Sequence, residues 1–99
     1  MRPIHLAQLD KSRPVLVLTR EIARPHMNTV TVAPITTTIR GLSSEVLVGP
    51  GNGLNERCVV ACDHVTTVPV AALRSQIGRL FDEQETKLRD AIHAAFDLE

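Results

Sequence analysis

Arg13-Pro14-Val15-Leu16-Val17-Leu18-Thr19 and Thr29-Val30-Thr31-Val32-Ala33-Pro34-Ile35 are the stretches whose reading sets the fold. The first is continuously apolar and rich in β-branched residues, as a buried strand is; the second alternates threonine with valine, as a half-buried strand does. Proline fixes its own φ and drives the preceding residue into an extended conformation, so Arg13 should project from the entrance of its strand. The second stretch runs on into Thr36-Thr37-Thr38-Ile39-Arg40-Gly41. A buried strand needs no arginine at its mouth and no threonine cluster at its end. If the two strands are neighbours, a guanidinium and several hydroxyls share one cleft, a donor set suited to phosphate.

Working outward, Ile4–Leu9 reads as a first strand joined to Arg13 by the tight polar connection Leu9-Asp10-Lys11-Ser12. Arg20–Asn28, with Pro25, reads as a loop, and Gly41–Ser44 as a turn. Glu45–Val48, Arg57–Cys62 and Thr66–Val70 are further short strands, and Gln76–Leu80 adds a last one. Gly49-Pro50-Gly51-Asn52-Gly53 is turn chemistry; without a lysine and a following helix it is no phosphate loop. The one helix spans Asp82 to about Phe96, with Asp82 and Glu85 as the carboxylate analogue of a capping box. Leu88, Ala91, Ile92, Ala95 and Phe96 recur at helical spacing, an apolar face that docks on the chain's own sheet or on a second subunit. The pattern predicts a mainly β (α+β) fold: a small antiparallel barrel closed by a C-terminal helix, with residues 1–99 as one domain.

Composition narrows the function classes. The formal net charge is zero, which argues against a broad electrostatic grip on nucleic acid. The distribution is uneven: residues 1–57 hold seven Lys/Arg against four Asp/Glu (+3), residues 58–99 four against seven (−3). A local basic cleft in the N-terminal part is compatible with that, and so is ordinary scatter of surface charge. With Phe81 and Phe96 as the only aromatics, both reading as core, no base-stacking platform can be built. Cys58 and Cys62, if on one strand face, lie about 13 Å apart at ~3.3 Å per residue, too far to bridge. They read as buried free thiols in a reducing compartment, and no metal or cofactor is expected. The N-terminus has no signal-peptide pattern and no apolar run approaches the ~20 residues of a membrane span, so a cytoplasmic protein is expected.

Individually the candidate residues stay open. Arg13 is either a solvated strand-end arginine or a fork of donors for phosphate. Thr36, Thr37 and Thr38 are β-formers or hydroxyl donors, and Lys11 and Arg40 are loop charges or phosphate contacts. Asp63-His64 is a turn initiator or a proton-transfer pair. His5, His26 and His93 lack ligand spacing, and no serine or cysteine has an evident activating partner.

Collectively they carry a resemblance. The succession Arg13–Thr19, Val32-Ala33-Pro34-Ile35-Thr36, Gly41, Glu45-Val46, Val59-Val60-Ala61-Cys62-Asp63 and the C-terminal helix is similar, in order and spacing, to the MazF/PemK/Kid family of toxin endoribonucleases, and most of all to mycobacterial MazF-type toxins. The resemblance implies an SH3-like β-barrel acting as a homodimer and neutralised by a cognate MazE-like antitoxin. It also implies cleavage of single-stranded RNA, whether messenger, ribosomal or transfer, without a metal. Arg13 matches the family's catalytic arginine and Thr36 its catalytic threonine, and Asp63 matches an acidic residue implicated in some members. Two positions depart from the pattern. Leu9-Asp10-Lys11-Ser12 replaces a longer glycine-rich first loop carrying a Glu-Gln pair, and Ala61 stands where some members have arginine.

The leading expectation is a sequence-selective endoribonuclease toxin in which Arg13 and Thr36 are catalytic, Asp63 or His64 transfers protons, and Lys11, Thr37, Thr38 and Arg40 bind RNA. The alternative is a toxin of the same fold that poisons a protein such as DNA gyrase, as CcdB relatives do, with Arg13 dispensable. A third reading is a non-catalytic barrel that binds a peptide or RNA.

Overall fold

The computed structural model describes residues 2–98. Seven strands, β1 (Pro3–Gln8), β2 (Ser12–Val17), β3 (Thr29–Thr36), β4 (Glu45–Val48), β5 (Cys58–Ala61), β6 (Thr66–Pro69) and β7 (Leu73–Arg79), precede one helix, α1 (Asp82–Ala95). The sheet runs β4-β5-β3-β2-β1-β7 with β6 also on β3. Every pairing is antiparallel, and the sheet curls into a half-barrel around one face of α1. The expected mainly β barrel with a C-terminal helix is the observed fold.

β3 organises the sheet. One of its edges pairs with β2; the other pairs first with β6 (Thr29 to Val32) and then with β5 (Ile35 and Thr36). Thr31 turns both its polar groups toward β2: its carbonyl accepts from the Leu18 N–H at 2.8 Å and its N–H donates to Thr19 Oγ1 at 2.8 Å. Backbone direction alternates along a strand, so residues 32, 34 and 36 address the β5/β6 edge. Pro34, which has no N–H to offer, therefore sits where that edge changes partner and no ladder bond is lost. The same contacts explain why β2 ends at Val17 and not at Thr19. Leu18 still bonds β3 through its backbone, and Thr19 replaces its backbone pairing with a side-chain bond.

The apolar run of β2 is buried on both faces. Leu16, Ala33, Ile35 and Val60 join Ile4, Leu80, Leu88 and Ala91 in the core between sheet and helix. Val15, Val17, Val30 and Val32 form a second cluster with Ala7 and Val68 on the opposite face. β3 is half-buried along its length, as expected, with buried residues alternating with partly exposed ones except at Ala33, which is buried next to Val32. Cys58 and Cys62 are free and buried in the first core. Burial raises the Cys62 thiol to about 11, with Asp63 adding to the effect, so this thiol is unreactive near neutrality.

The open ends of the sheet are bridged by the turn that follows β4. Buried Asn52 donates from Nδ2 to the Arg79 carbonyl at 2.9 Å and to Gln84 Oε1 at 2.8 Å, while its own Oδ1 takes the Gly49 N–H. The turn backbone presses so closely on β7 that a Cβ on Gly78 would meet the Asn52 carbonyl oxygen at 1.7 Å. Gly53, at φ 91°, is equally crowded by Ile77. The glycine-rich stretch is thus a packing joint.

Three readings are corrected in detail. The last strand begins at Leu73 and not Gln76, because Ala7 of β1 pairs with Leu73 beyond the bulges in this ladder. The helix cap is Phe81, whose N–H is taken by Gln84 Oε1 at 2.9 Å, so Gln84 does the work expected of Glu85. Glu85 instead ion-pairs Arg2 at 3.2 Å. Neither phenylalanine is core: Phe81 is half-buried under the Arg79 guanidinium, 5.3 Å from its ring centroid, and Phe96 is 52% exposed beyond the last helical turn. The helix docks on its own sheet, against β4, through Leu88 and Ala91.

Gly78→Ala should lower unfolding stability by about 1–3 kcal/mol, the usual range for overpacking. Gly49→Ala, whose added Cβ has nothing nearer than 3.9 Å, serves as the tolerated control. Urea unfolding at one fixed protein concentration measures both.

Candidate active site

The site lies where β2 begins and β3 ends. Val15 is opposite Pro34 in the β2–β3 register. That is the last β2–β3 pair; Arg13 and Thr36, each two residues beyond it, fall on the same face of the sheet as Val15 and Pro34, because side chains at i and i+2 share a face. The β1–β2 hairpin turns through Leu9-Asp10-Lys11, with Gln8 opposite Ser12. Asp10 shapes this turn by accepting the Lys11 N–H at 2.9 Å.

Asp10 also holds Arg13. Nε donates to Oδ1 at 3.0 Å and a terminal nitrogen donates to Oδ2 at 3.2 Å, a two-point fork that fixes the plane of the guanidinium. The hydrogen bond from Arg13, followed by that from the Lys11 amide, pulls the Asp10 carboxyl down to about 2. Its partner moves the other way, the carboxylate raising Arg13 above its ordinary value. The pair is exposed, so its value lies in orientation more than in stability.

Thr36 and Thr38 point to the same side as one another and line an open cavity of about 260 Å³ with Arg40, Asp63 and His64. Thr36 Oγ1 accepts the Thr38 N–H at 3.1 Å, which sets the hydroxyl's place at the cavity lip. Two buried or saturated contacts build the remaining wall. Ser44, 6% exposed, donates its hydroxyl to Asp63 Oδ2 at 2.6 Å. Glu45 takes the backbone N–H groups of Arg40, Gly41 and Leu42 on Oε1 at 3.2, 2.9 and 3.1 Å. Gly41, at φ 76°, gives the loop the left-handed step that turns successive amides onto one carboxylate.

Of the residues expected from sequence, the structure therefore gathers Thr36, Thr38, Arg40, Asp63 and His64 around one cavity. Arg13 is not among the lining residues; it lies on the Thr36 face of the sheet, turned to Asp10, and Lys11 is at the exposed hairpin tip. Thr37 goes elsewhere: strand alternation sends it to a separate apolar cavity lined by Leu6, Pro14, Leu54 and Ile77. Sequence reasoning assigns no role in the site to Asp10, Ser44 or Glu45. The signals were present, an Asp three residues before an Arg across a tight hairpin and a Glu four residues after a loop glycine, but both are common patterns. Among the described residues no group of three or more His, Cys, Asp and Glu side chains converges to hold a metal ion.

Residues 3–96 match the family of PemK-like, MazF-like toxins of type II toxin–antitoxin systems. The chain belongs to this family. It is 62% identical to endoribonuclease MazF3 of Mycobacterium tuberculosis over 99 residues, covering all of this chain and 96% of that one. The solved structure of the Mycobacterium tuberculosis toxin MazF-mt6 superposes with a TM-score of 0.97 at 61% identity, covering 99% of each chain. A mycobacterial endoribonuclease solved with its cognate antitoxin shares the MazF fold at 21% identity, with a TM-score of 0.87 over 98% of this chain and 93% of that one. No helix among the described residues is long and apolar enough to cross a membrane.

Because its folded value lies below 3.8, the Asp10 carboxylate favours the folded chain above about pH 4, and that contribution fades as pH falls toward 2. Carboxyl-carbon NMR should find Asp10 titrating near 2 in the wild type and moved up toward, but short of, 3.8 in Arg13→Ala, where the Lys11 amide still holds it.

Proposed function

We propose that the chain is the toxin of a type II toxin–antitoxin pair: a MazF-type endoribonuclease that cuts single-stranded RNA and so arrests translation and growth. The observation that carries this reading is membership of the MazF-like toxin family, together with an arginine and a threonine on one sheet face, the threonine lining a polar cavity. In the reaction, the 2′-hydroxyl attacks the adjacent phosphorus and the bond to the 5′-oxygen of the next nucleotide breaks. The products are a 2′,3′-cyclic phosphate and a 5′-hydroxyl.

Such a step needs charge stabilisation on the non-bridging oxygens and a route for two protons. Arg13 supplies a planar fork and Thr36 a further hydrogen bond, both fixed before substrate arrives. Asp10 keeps the fork oriented. At about 2 its carboxyl is too acidic to be an effective base near neutrality, which favours a positioning role. Asp63 has one oxygen occupied by Ser44, which leaves His64, on the same cavity, as the better placed proton carrier. Lys11, Thr38 and Arg40 extend the phosphate-binding surface, whereas Thr37 lines the separate apolar cavity.

The toxin works in the cytoplasm as a homodimer and is silenced by a MazE-like antitoxin. Exposed Leu42, Leu47, Phe96 and Leu98 provide apolar surface for such partners. An antitoxin segment rich in carboxylates would suit a groove made for phosphates. The protein-poisoning alternative receives no specific observation of its own.

Removing one charge-stabilising donor typically costs ~10²–10³-fold in rate. Arg13→Ala and Thr36→Ala should each lose roughly that much cleavage of single-stranded RNA in EDTA. Undiminished cutting by Arg13→Ala would refute the assignment. A substrate carrying a 2′-deoxynucleotide 5′ to the scissile bond should resist cleavage altogether, and its cutting would exclude internal attack.

A further inference from the structure

We propose that the cavity beside Thr36 is a nucleobase-reading site, and that Asp63, oriented by Ser44, selects a base bearing an exocyclic amine over uracil. The inference rests on the ribonuclease reading and names what that site recognises. Thr36 and Thr38 line the cavity, so a nucleotide whose phosphate lies at Thr36 has its base within reach of the other lining groups. Pro34, Leu42 and Ala61 contribute apolar wall, suited to the faces of a base in a chain without an aromatic stacking platform. At about 260 Å³ the space is on the scale of one base with a few waters.

The polar groups of the cavity are not equivalent. Glu45 spends Oε1 on the amides of residues 40–42 and shares the Arg40 amide through Oε2 at 3.3 Å, so it is committed to its own loop. Asp63 is half saturated. Its Oδ2 takes the hydroxyl of buried Ser44 at 2.6 Å, which fixes the carboxylate plane and leaves Oδ1 to accept. An ionised carboxylate can only accept. Cytosine, adenine and guanine each offer it an amine hydrogen, and a carboxylate paired with cytosine N4 is an established recognition contact. Uracil offers only one N–H, flanked by two carbonyl oxygens that a carboxylate repels. The cost of that mismatch is the source of selectivity.

The test sequences the products of a randomised RNA pool cut by wild type, Asp63→Asn and Ser44→Ala. In parallel, a random 2′-O-methyl RNA hexamer pool, which cannot be cleaved, is selected for binding to each protein. Wild type should exclude uracil at one position next to the cut. Asp63→Asn, whose amide can donate to a carbonyl, should relax or reverse that preference by roughly ten- to a hundredfold. Ser44→Ala should blunt it while keeping its direction. Thr36→Ala should slow cutting at every sequence and leave the preference in place.

An Asp63→Asn enzyme that is slower but keeps the wild-type motif would overturn the proposal and make Asp63 a proton-transfer group instead. A wild type that binds all four bases equally would overturn it as well. Base selectivity in the hexamer pool without any cleavage would instead remove the ribonuclease reading and keep this one.

Discussion

β3 must satisfy three neighbouring strands with two edges, and the rest of the molecule follows from how it does so. A proline in the interior of a central strand ordinarily removes a ladder bond. Here Pro34 faces the edge where β6 gives way to β5, so its missing N–H coincides with a gap that the topology already requires. The switch of partner carries the end of β3 away from β6 and toward β5. Thr36, two residues past the proline, then sits at the join, between the start of β2 and the turn that carries Asp63 and His64. The candidate site is thus a by-product of how one strand changes partners.

The same economy shows in the loops. Two carboxylates each organise a turn: Asp10 accepts the Lys11 amide and grips Arg13, and Glu45 accepts the amides of residues 40–42, among them that of Arg40, which lines the cavity. Net charge is zero over the chain, and the cavity is mixed in the same way, with Arg40 and His64 among its lining residues beside Asp63 and Glu45. Short-range hydrogen bonds, and not a long-range field, order these groups.

Much of this was legible in the sequence. Val15–Val17 and Thr29–Ile35 announce strands through β-branching and periodicity, and Glu45–Val48 is read to the residue because turn signals bracket it. The family resemblance supplied Arg13, Thr36 and Asp63, which spacing alone left ambiguous. What could not be read depends on partners distant in the chain. Leu73 is a strand residue only because β1 lies beside it, and Phe96 follows the helical period yet falls beyond the turn that contacts the sheet. Ser44 and Asp63 are 19 residues apart, and nothing local in either segment announces their hydrogen bond.

The Asp10–Arg13 fork bears on how so short a first loop can serve a phosphoryl-transfer site. A longer loop could fold over the substrate and supply its own groups; a three-residue turn can only orient what is next to it. A carboxylate gripping a guanidinium at two points occupies the geometry that two phosphate oxygens would take. A phosphodiester in its ground state carries one negative charge and competes with Asp10 on nearly equal terms. The pentacoordinate state carries more charge on the same oxygens and competes better. The cost of displacing Asp10 is the same for both states, so a fork already shared with an acid weakens ground-state binding without narrowing the difference between the two, and catalysis depends on that difference and not on the tightness of binding.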